Sequence, residues 1–190
     1  DTSKIYSFKI VQMKKQLKIV VLAKQVPDTR NVGKDAMTPE GTVNRAALPA
    51  IFNPEDLNAL EMALALKDET EGSTVHILTM GPPRAADIIR DAIFRGADGG
   101  YLLTDRKFAG SDTLATGKIL ARAIRKVGDV DLVLTGKQSS DGDTGQIPPA
   151  IAQHLGVNLV SYAESVTVKD GVLVATRKNH GGLQTVEAQL

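Results

Sequence analysis

Residues 132–146, LVLTGKQSSDGDTGQ, hold the clearest potential for chemistry in this chain. A short apolar run leads directly into small and polar residues, and a helical pattern follows them. The first amides of a helix lack acceptors within the helix and lie at the positive end of its dipole, so they bind anions. The glycines of this segment let the backbone approach a ligand closely, and Lys137 adds positive charge. The segment therefore predicts a phosphate site.

A purely structural interpretation of the same segment stays open at this point. In that interpretation the segment is an ordinary turn from a strand to a helix, with Asp143 as the N-cap of a helix that starts at Thr144. The glycine spacing is neither that of the dinucleotide fingerprint nor that of a P-loop, because no Gly-Lys-Ser/Thr closes it.

Composition narrows the function classes. Lys and Arg number 23 against 22 Asp and Glu, a formal net charge of +1 that argues against nucleic acid as a partner. The chain has no cysteine, which excludes disulfides, thiolate metal sites and iron–sulfur clusters, so electrons would need an organic cofactor. Three scattered histidines predict no metal site, and no Gly-x-Ser-x-Gly elbow predicts a catalytic nucleophile.

The organisation of the chain predicts one main domain of the α/β class. Residues 1–12 precede Met13 and are expected to be a leader or an artificial extension. Residues 13–160 are expected to form a nucleotide-binding domain, and residues 161–190 antiparallel strands that continue beyond Leu190. The chain shows no apolar run of about 20 residues and no secretory signal, so we expect a cytoplasmic protein without membrane insertion.

Short apolar strands alternate with helical patterns through the larger part, which predicts a doubly wound, mostly parallel sheet. The predicted strands are Leu17–Ala23, Val75–Met80, Gly100–Leu103 and Leu132–Leu134, and the predicted helices are Pro54–Glu71, Arg84–Arg95 and Asp112–Val127. Asn53 as N-cap and Pro54 in the first turn mark one helix start, and Gly96 and Gly128 mark helix ends.

After residue 156 the pattern changes from helical to alternating. An Asp-Gly pair between the runs 165–168 and 172–177 predicts a hairpin, and Gly181-Gly182 predicts a second turn into a final strand. A further small hairpin is expected at Glu40–Val43. The alternating strands after residue 156 are expected to form an antiparallel excursion from the main sheet.

In a parallel sheet, loops that follow the strands converge at the carboxyl edge, where ligands bind. The segments after Leu22, after Thr79 and after Leu134 are expected to meet there. For Asp112, Thr113 and Thr116 two interpretations stay open, a ligand-binding role and a structural role. In the structural role they would cap and solvate the helix that follows them.

Several segments, in this order, together resemble the β subunit of the electron transfer flavoproteins, from about Met13 to the end of the chain. They are the first strand with its loop (KIVVLAKQVPDT, 18–29), Asn53–Asp56, Thr79–Pro83, Arg95–Asp98 and the loop 136–146. An ordered set of this kind is not expected by chance.

The resemblance implies an adenine-nucleotide hydrolase-like fold in an αβ heterodimer that relays electrons between flavin dehydrogenases, such as acyl-CoA dehydrogenase, and acceptors. FAD is then shared with or held beside the α subunit, and AMP is the alternative occupant of this subunit. By position, the implied cofactor-binding residues are Leu22, Asn53, Pro54, Glu55, Asp56, Met80, Gly136, Lys137, Gln138, Ser139, Ser140, Asp141, Gly142, Asp143, Thr144, Gly145, Gln146 and Ile147.

Within this set, the amides of Asp143 to Gln146 and the Thr144 hydroxyl are the expected phosphate ligands. Asp141 and Asp143 would repel phosphate, so they are assigned to capping and to sugar hydroxyls.

Asp112, Thr113 and Thr116 further resemble an electron-bifurcating subset of the family that binds a second FAD in this subunit and oxidises NADH. Gly142 points the same way, because members that hold AMP more often carry an acidic residue there. Gly145 and Pro148 depart from that subset. The alternatives from other classes are a stand-alone universal-stress-like ATP-binding module and a nucleotide-hydrolysing or ligase enzyme. The second alternative would require a Ser-Gly-Gly-x-Asp-type loop after the first strand, and this chain does not have one there.

Overall fold

The computed structural model of the chain describes residues 16–28, 30, 36–37, 39, 41, 48–169 and 171–190. In chain order, its strands are β1 (Lys18–Leu22), β2 (Gln25–Pro27), β3 (Ala50–Phe52), β4 (Thr74–Met80), β5 (Gly99–Leu103), β6 (Leu132–Thr135), β7 (Ala163–Lys169), β8 (Val172–Asn179) and β9 (Gly182–Gln189). Its α-helices are α1 (Pro54–Glu69), α2 (Ala86–Arg95), α3 (Thr113–Val127) and α4 (Ile147–Leu155).

The central sheet is parallel, with the strand order β5-β4-β1-β6. The chain first winds outward from β1 through β4 to β5, and then returns to place β6 on the other side of β1. Leu22 at the end of β1 is therefore level with Leu78 of β4 and with Thr135 of β6. Such a reversal of the winding direction opens a crevice at the carboxyl ends of the two central strands. The predicted α/β class is confirmed.

The side chains of the central strands alternate between two apolar layers, because successive residues of a strand point to opposite faces. Ile19 and Val21 of β1 pack with α1 and α2. Val20 and Leu22 pack with α3 and α4. The sheet is thus covered on both faces, which accounts for its continuous apolar strands.

Helix boundaries largely follow the local signals. The Asp112 side chain caps α3 by accepting a hydrogen bond from the Ala115 amide at 2.7 Å, and Gly96 and Gly128 end α2 and α3 with positive φ angles. The helix α2 begins at Ala86 rather than at the predicted Arg84, because Pro83–Ala85 form a 3₁₀ turn first. None of the helices in the described ranges has the length and apolar character needed to cross a bilayer.

The antiparallel strands β7, β8 and β9 form a separate sheet in that order, and this confirms the predicted excursion. Val166 and Val168 of β7 pack against the apolar layer that contains α1. Asp170 of the predicted turn lies outside the described residues, as do residues 1–12 and most of the predicted Glu40–Val43 hairpin. Strands β2 and β3 pair as a short antiparallel ribbon.

The helices α3 and α4 approach each other at Gly117. A Cβ atom added there would lie 2.8 Å from the Cβ of Ala150. Helix α4, which follows the glycine-bearing loop, is thereby held close to α3.

Gly117→Ala tests this close approach. Alanine ordinarily stabilises a helix interior by about 1 kcal/mol relative to glycine, but the contact with Ala150 should turn this gain into a net loss of about 1 kcal/mol. In an Ala150→Gly background the ordinary gain should return. Urea unfolding of the four proteins measures the coupling, and additive effects of the two substitutions would contradict the packing.

Candidate functional site

A cavity of about 310 Å³ lies at the carboxyl ends of β1, β4 and β6, at the point where the winding of the sheet reverses. This volume is in the range of small-molecule sites. One wall is apolar and includes Leu22, Leu78 and Leu120, whereas loop backbone and polar side chains form the rest. The loops after β1 and β6 meet here, as the fold rules predicted. From β4 only strand residues such as Met80 reach the cavity, and the third loop in its lining follows β5 rather than β4.

The buried carboxylate of Asp56 joins the two strand ends that border the cavity. Its Oδ2 accepts the amide of Lys24 at 2.8 Å, just after β1, and its Oδ1 accepts the amide of Gly136 at 3.2 Å, just after β6. Burial raises the pKa of Asp56 from 3.8 to about 6, because desolvation outweighs these hydrogen bonds. Asp56 therefore ties α1 to both edges of the crevice.

The two polar residues before Asp56 also bind the loop rather than the helix backbone. The Asn53 Nδ2 donates to the Gln138 carbonyl at 2.9 Å, and its Oδ1 accepts the Ser140 amide at 3.1 Å. The Glu55 Oε2 accepts the Gln138 amide at 3.1 Å. Asn53 occupies the N-cap position of α1 but makes no side-chain cap, so the predicted capping role is wrong. Its amide group is used by a loop more than 80 residues away.

Gly136 is required by this arrangement. An added Cβ would contact Asp56 Oδ1 and would lie 2.7 Å from the backbone carbon of Glu55. Contacts this short do not occur at real Cβ atoms, so any side chain would push the loop away from α1.

The loop from Thr144 to Ile147 presents main-chain donors beside the cavity. In the described part of the chain, the amides of Thr144 and Gly145 have no acceptor, and the Gln146 amide has a long contact of 3.5 Å to the Thr144 hydroxyl. Gly145 has φ 62° and Gln146 has φ −90° with ψ −19°. A left-handed residue beside a right-handed one turns successive N–H groups towards one point, a geometry that binds anions.

Helix α4 starts later than expected, at Ile147 rather than at Thr144. Asp143 is not its N-cap, because it has φ 49° and its amide is bound to the Ser139 carbonyl at 2.9 Å. That bond also removes the Asp143 amide from the predicted phosphate ligands. Pro148 and Pro149 fill the next two helical positions and carry no N–H. The first turn therefore offers the Ile147 amide, and the loop supplies the other donors.

The two carboxylates of the loop have side-chain partners, one that follows β1 and one within the loop itself, which corrects the capping role expected of them. Asp141 Oδ1 lies 2.7 Å from Lys24 Nζ, and Asp143 Oδ1 accepts the Gln138 Nε2 at 3.0 Å. That Lys24 pairs with Asp141 was not predicted from the sequence. The available signal was the position of Lys24 directly after a central strand, at the edge where the loops converge. This ion pair closes the loop against the end of β1.

Residues just before α3 and in its first turn form another part of the cavity wall. Phe108, Thr113 and Thr116 line the cavity, and the Thr113 hydroxyl donates to Gln146 Oε1 at 2.7 Å. Asp112 also lines it, while one of its oxygens caps α3. The capping role of Asp112 is therefore confirmed, and its place in the cavity lining keeps a ligand-binding role as a prediction.

The predicted residues divide into two groups by position. Those that line the cavity are Leu22, Asp56, Met80, Asp112, Thr113, Thr116, Gly136, Gln138, Ser139, Gly142, Thr144, Gly145 and Ile147. Those that lie outside its lining are Asn53, Pro54, Glu55, Lys137, Ser140, Asp141, Asp143 and Gln146. Lining residues absent from the predicted set are Ala23, Lys24, Leu78, Phe108, Gly110, Ser111, Leu120, Thr135 and Pro148.

Metal-binding geometry is absent from the described residues, where no group of three or more His, Asp or Glu side chains is placed to hold an ion. The pKa shift of Asp56 and the unbonded loop amides are the features that distinguish this site chemically. The arrangement suits an anionic ligand with an apolar part.

Comparison with known proteins shows the family. Residues 40–190 match the electron transfer flavoprotein domain, so the chain belongs to the electron transfer flavoprotein family. Its relatives include β subunits of that family, and the predicted resemblance is confirmed.

Three relatives illustrate the match. The chain is 47% identical to the caffeyl-CoA reductase-Etf complex subunit CarD of Acetobacterium woodii, over 92% of this chain and 66% of the relative. It is 46% identical to the electron transfer flavoprotein subunit beta of Megasphaera elsdenii, over 91% and 66%. For the acryloyl-CoA reductase electron transfer subunit gamma of Anaerotignum propionicum the identity is 44%, over 91% and 64%. The chain thus spans just under two thirds of the length of these relatives.

Gly136→Ala should separate the loop from α1, whereas Gly142→Ala is a matched control. A Cβ at position 142 would make an ordinary contact of 3.6 Å with the Ser139 hydroxyl. We expect Gly136→Ala to lower the free energy of unfolding by about 2 kcal/mol or more, and Gly142→Ala to change it by less than about 0.5 kcal/mol. Equal effects in denaturant titrations would contradict the close approach at Gly136.

Asp56→Asn should remove a pH-dependent part of the stability. Because the native pKa is raised above the unfolded value, the protonated carboxyl favours folding below about pH 4, and this contribution is lost as the pH rises through 6. The free energy of unfolding of the wild type minus that of Asp56→Asn should fall by about 2 kcal/mol between pH 4 and 7. The exposed Glu61→Gln is the control. A pH-independent difference for Asp56→Asn would contradict the buried carboxyl.

Proposed function

We propose that the crevice binds the adenosine end of an adenine nucleotide, FAD or AMP. The observation that carries this proposal is that the amides of Thr144 and Gly145 have no acceptor among the described residues, and that both residues line the cavity. With the Ile147 amide and the Thr144 hydroxyl they would supply the donors for a phosphate. Phosphate binding by these groups agrees with the anion-binding geometry of Gly145 and Gln146.

The rest of the lining suits the other parts of such a ligand. Leu22, Leu78 and Leu120 offer an apolar surface for a base. Ser139, Asp112 and Thr116 line the same cavity and are candidates for hydrogen bonds to sugar hydroxyls. Asp141 is bonded to Lys24 in this arrangement, so we assign it to positioning the loop.

At the level of the whole protein, we infer a cytoplasmic β subunit of an αβ heterodimer that relays electrons between flavin dehydrogenases, such as acyl-CoA dehydrogenase, and acceptors. Family membership supports this role. Two relatives are named as subunits that serve CoA-ester reductases, which supports a partner enzyme that acts on CoA thioesters. The flavin supplies the redox chemistry when bound, and this chain binds and orients it.

We favour FAD over AMP as the occupant of this subunit, which would make the protein an NADH-oxidising, electron-bifurcating flavoprotein. Support comes from the start of α3, where Asp112, Thr113 and Thr116 widen the polar lining beyond the loop 136–147. These residues resemble the bifurcating subset, and Gly142 leaves the loop without a further carboxylate.

The nucleotide content of the purified native assembly tests the proposal. Extraction and chromatography should give two FAD per heterodimer and no AMP. One FAD with one AMP would contradict the second flavin and leave the nucleotide site intact. An assembly in which this subunit carries neither compound would contradict the nucleotide site itself.

A further inference from the structure

The exposed face of α3 is basic. Lys118, Arg122, Arg125 and Lys126 are exposed and follow one another at the spacing of a single helix face. Arg106 and Lys107, just before the helix, are also exposed. Residues 106–127 contain six Lys or Arg and one acidic residue, in a chain with a formal net charge of +1. Six of the 23 Lys and Arg residues of the chain thus lie in this short segment.

Among the described residues, the cations of α3 lack the ion pairs that those of α2 possess. On α2, Arg90 pairs with Asp87, and Arg95 Nε lies 3.1 Å from Asp91 Oδ1. Within the described ranges, no carboxylate forms an ion pair with a cation of α3. Arg125 donates a hydrogen bond to the His154 carbonyl, which holds its guanidinium beside α4.

This arrangement works against the stability of the helix. Arg122 stands four residues from both Lys118 and Lys126, and like charges at that spacing repel each other. A helix face with no role beyond solvation would be more stable with alternating charges, as on α2. The unbalanced face is therefore better explained by an anionic partner than by folding.

We propose that the outward face of α3 docks an acidic protein, by charge complementarity with Lys118, Arg122 and Lys126. An anionic membrane is disfavoured, because the apolar side of α3 is buried in the core and Leu114 is its exposed large apolar residue. Nucleic acid is disfavoured by the low net charge and by the absence of aromatic residues from α3. Arginine is enriched in protein interfaces relative to the rest of the surface.

The position of α3 connects this surface to the crevice. Thr113 and Thr116 line the cavity, while Leu114 and Lys118 face outward from the same two turns. A protein docked on the outer face would lie about one helix diameter, roughly 10 Å, from the cavity wall. That the acidic protein is an electron-transfer partner rests on the proposed function. Weak, salt-sensitive docking is typical of such encounters.

Two charge reversals, on helices that cover opposite faces of the sheet, test the surface. Arg122→Glu and Arg95→Glu change the net charge equally, but the first alters the α3 face and the second the ion-paired α2 face. In the native assembly, binding of a flavodoxin with an acidic surface is measured by calorimetry at about 0.02 M and 0.3 M NaCl. Heparin, poly-L-glutamate and phosphatidylglycerol vesicles are the comparison probes.

We expect Arg122→Glu to weaken flavodoxin binding about tenfold at low salt and Arg95→Glu to change it by less than about twofold. The same Arg122→Glu change should raise the melting temperature by about 1 °C, because it replaces two repulsions by attractions. Unchanged nucleotide content in both variants separates this proposal from the nucleotide site. Equal weakening by the two variants, no flavodoxin binding at low salt, or tighter binding of heparin or vesicles than of flavodoxin would overturn it.

Discussion

The structure depends on one buried carboxylate. Asp56 lies at the start of α1 and accepts hydrogen bonds from two amides, one that follows β1 and one that follows β6. These parallel strands are neighbours, and the chain winds from β1 to β4 and β5 on one side and to β6 on the other. A parallel sheet that reverses its winding opens at this point. Asp56 joins the two sides of this opening through its hydrogen bonds, and the cost of burying its charge is visible in a pKa of about 6.

The loop that follows β6 takes its shape mainly from α1 rather than from the helix that it precedes. Asn53 and Glu55 bind the backbone at Gln138 and Ser140, and Gly136 fits where a side chain would collide with α1. The amides of Thr144 and Gly145 then find no acceptor in the part of the chain that the structure describes. Because two prolines occupy the first turn of α4, anion binding there depends on loop geometry more than on the helix dipole.

Features encoded by neighbouring residues could be predicted from the sequence. The apolar runs gave strands β1, β4, β5 and β6 to within a residue, and the change to alternating residues after 156 gave the antiparallel sheet. Gly96 and Gly128 marked helix ends because their conformation is a local property. The convergence of loops at one edge followed from the topology of parallel sheets.

Features that join distant segments could not be predicted. Asn53 has the residue type of a helix cap, and no local pattern shows that its side chain binds Gln138 and Ser140 instead. The start of α4 was placed too early, because Asp143 offers a capping side chain while its left-handed backbone and its bond to Ser139 prevent a helix there. The Lys24–Asp141 pair joins residues more than 110 positions apart. Such contacts exist only once the sheet has formed.

A crystal structure of the native assembly with its nucleotide would show where the phosphates lie. We expect phosphoryl oxygens within hydrogen-bond distance of the main-chain N–H groups of Thr144, Gly145 and Ile147, with Asp56 still bonded to Lys24 and Gly136. A nucleotide whose phosphates lie away from these amides, or a loop released from α1 when the nucleotide is bound, would contradict it.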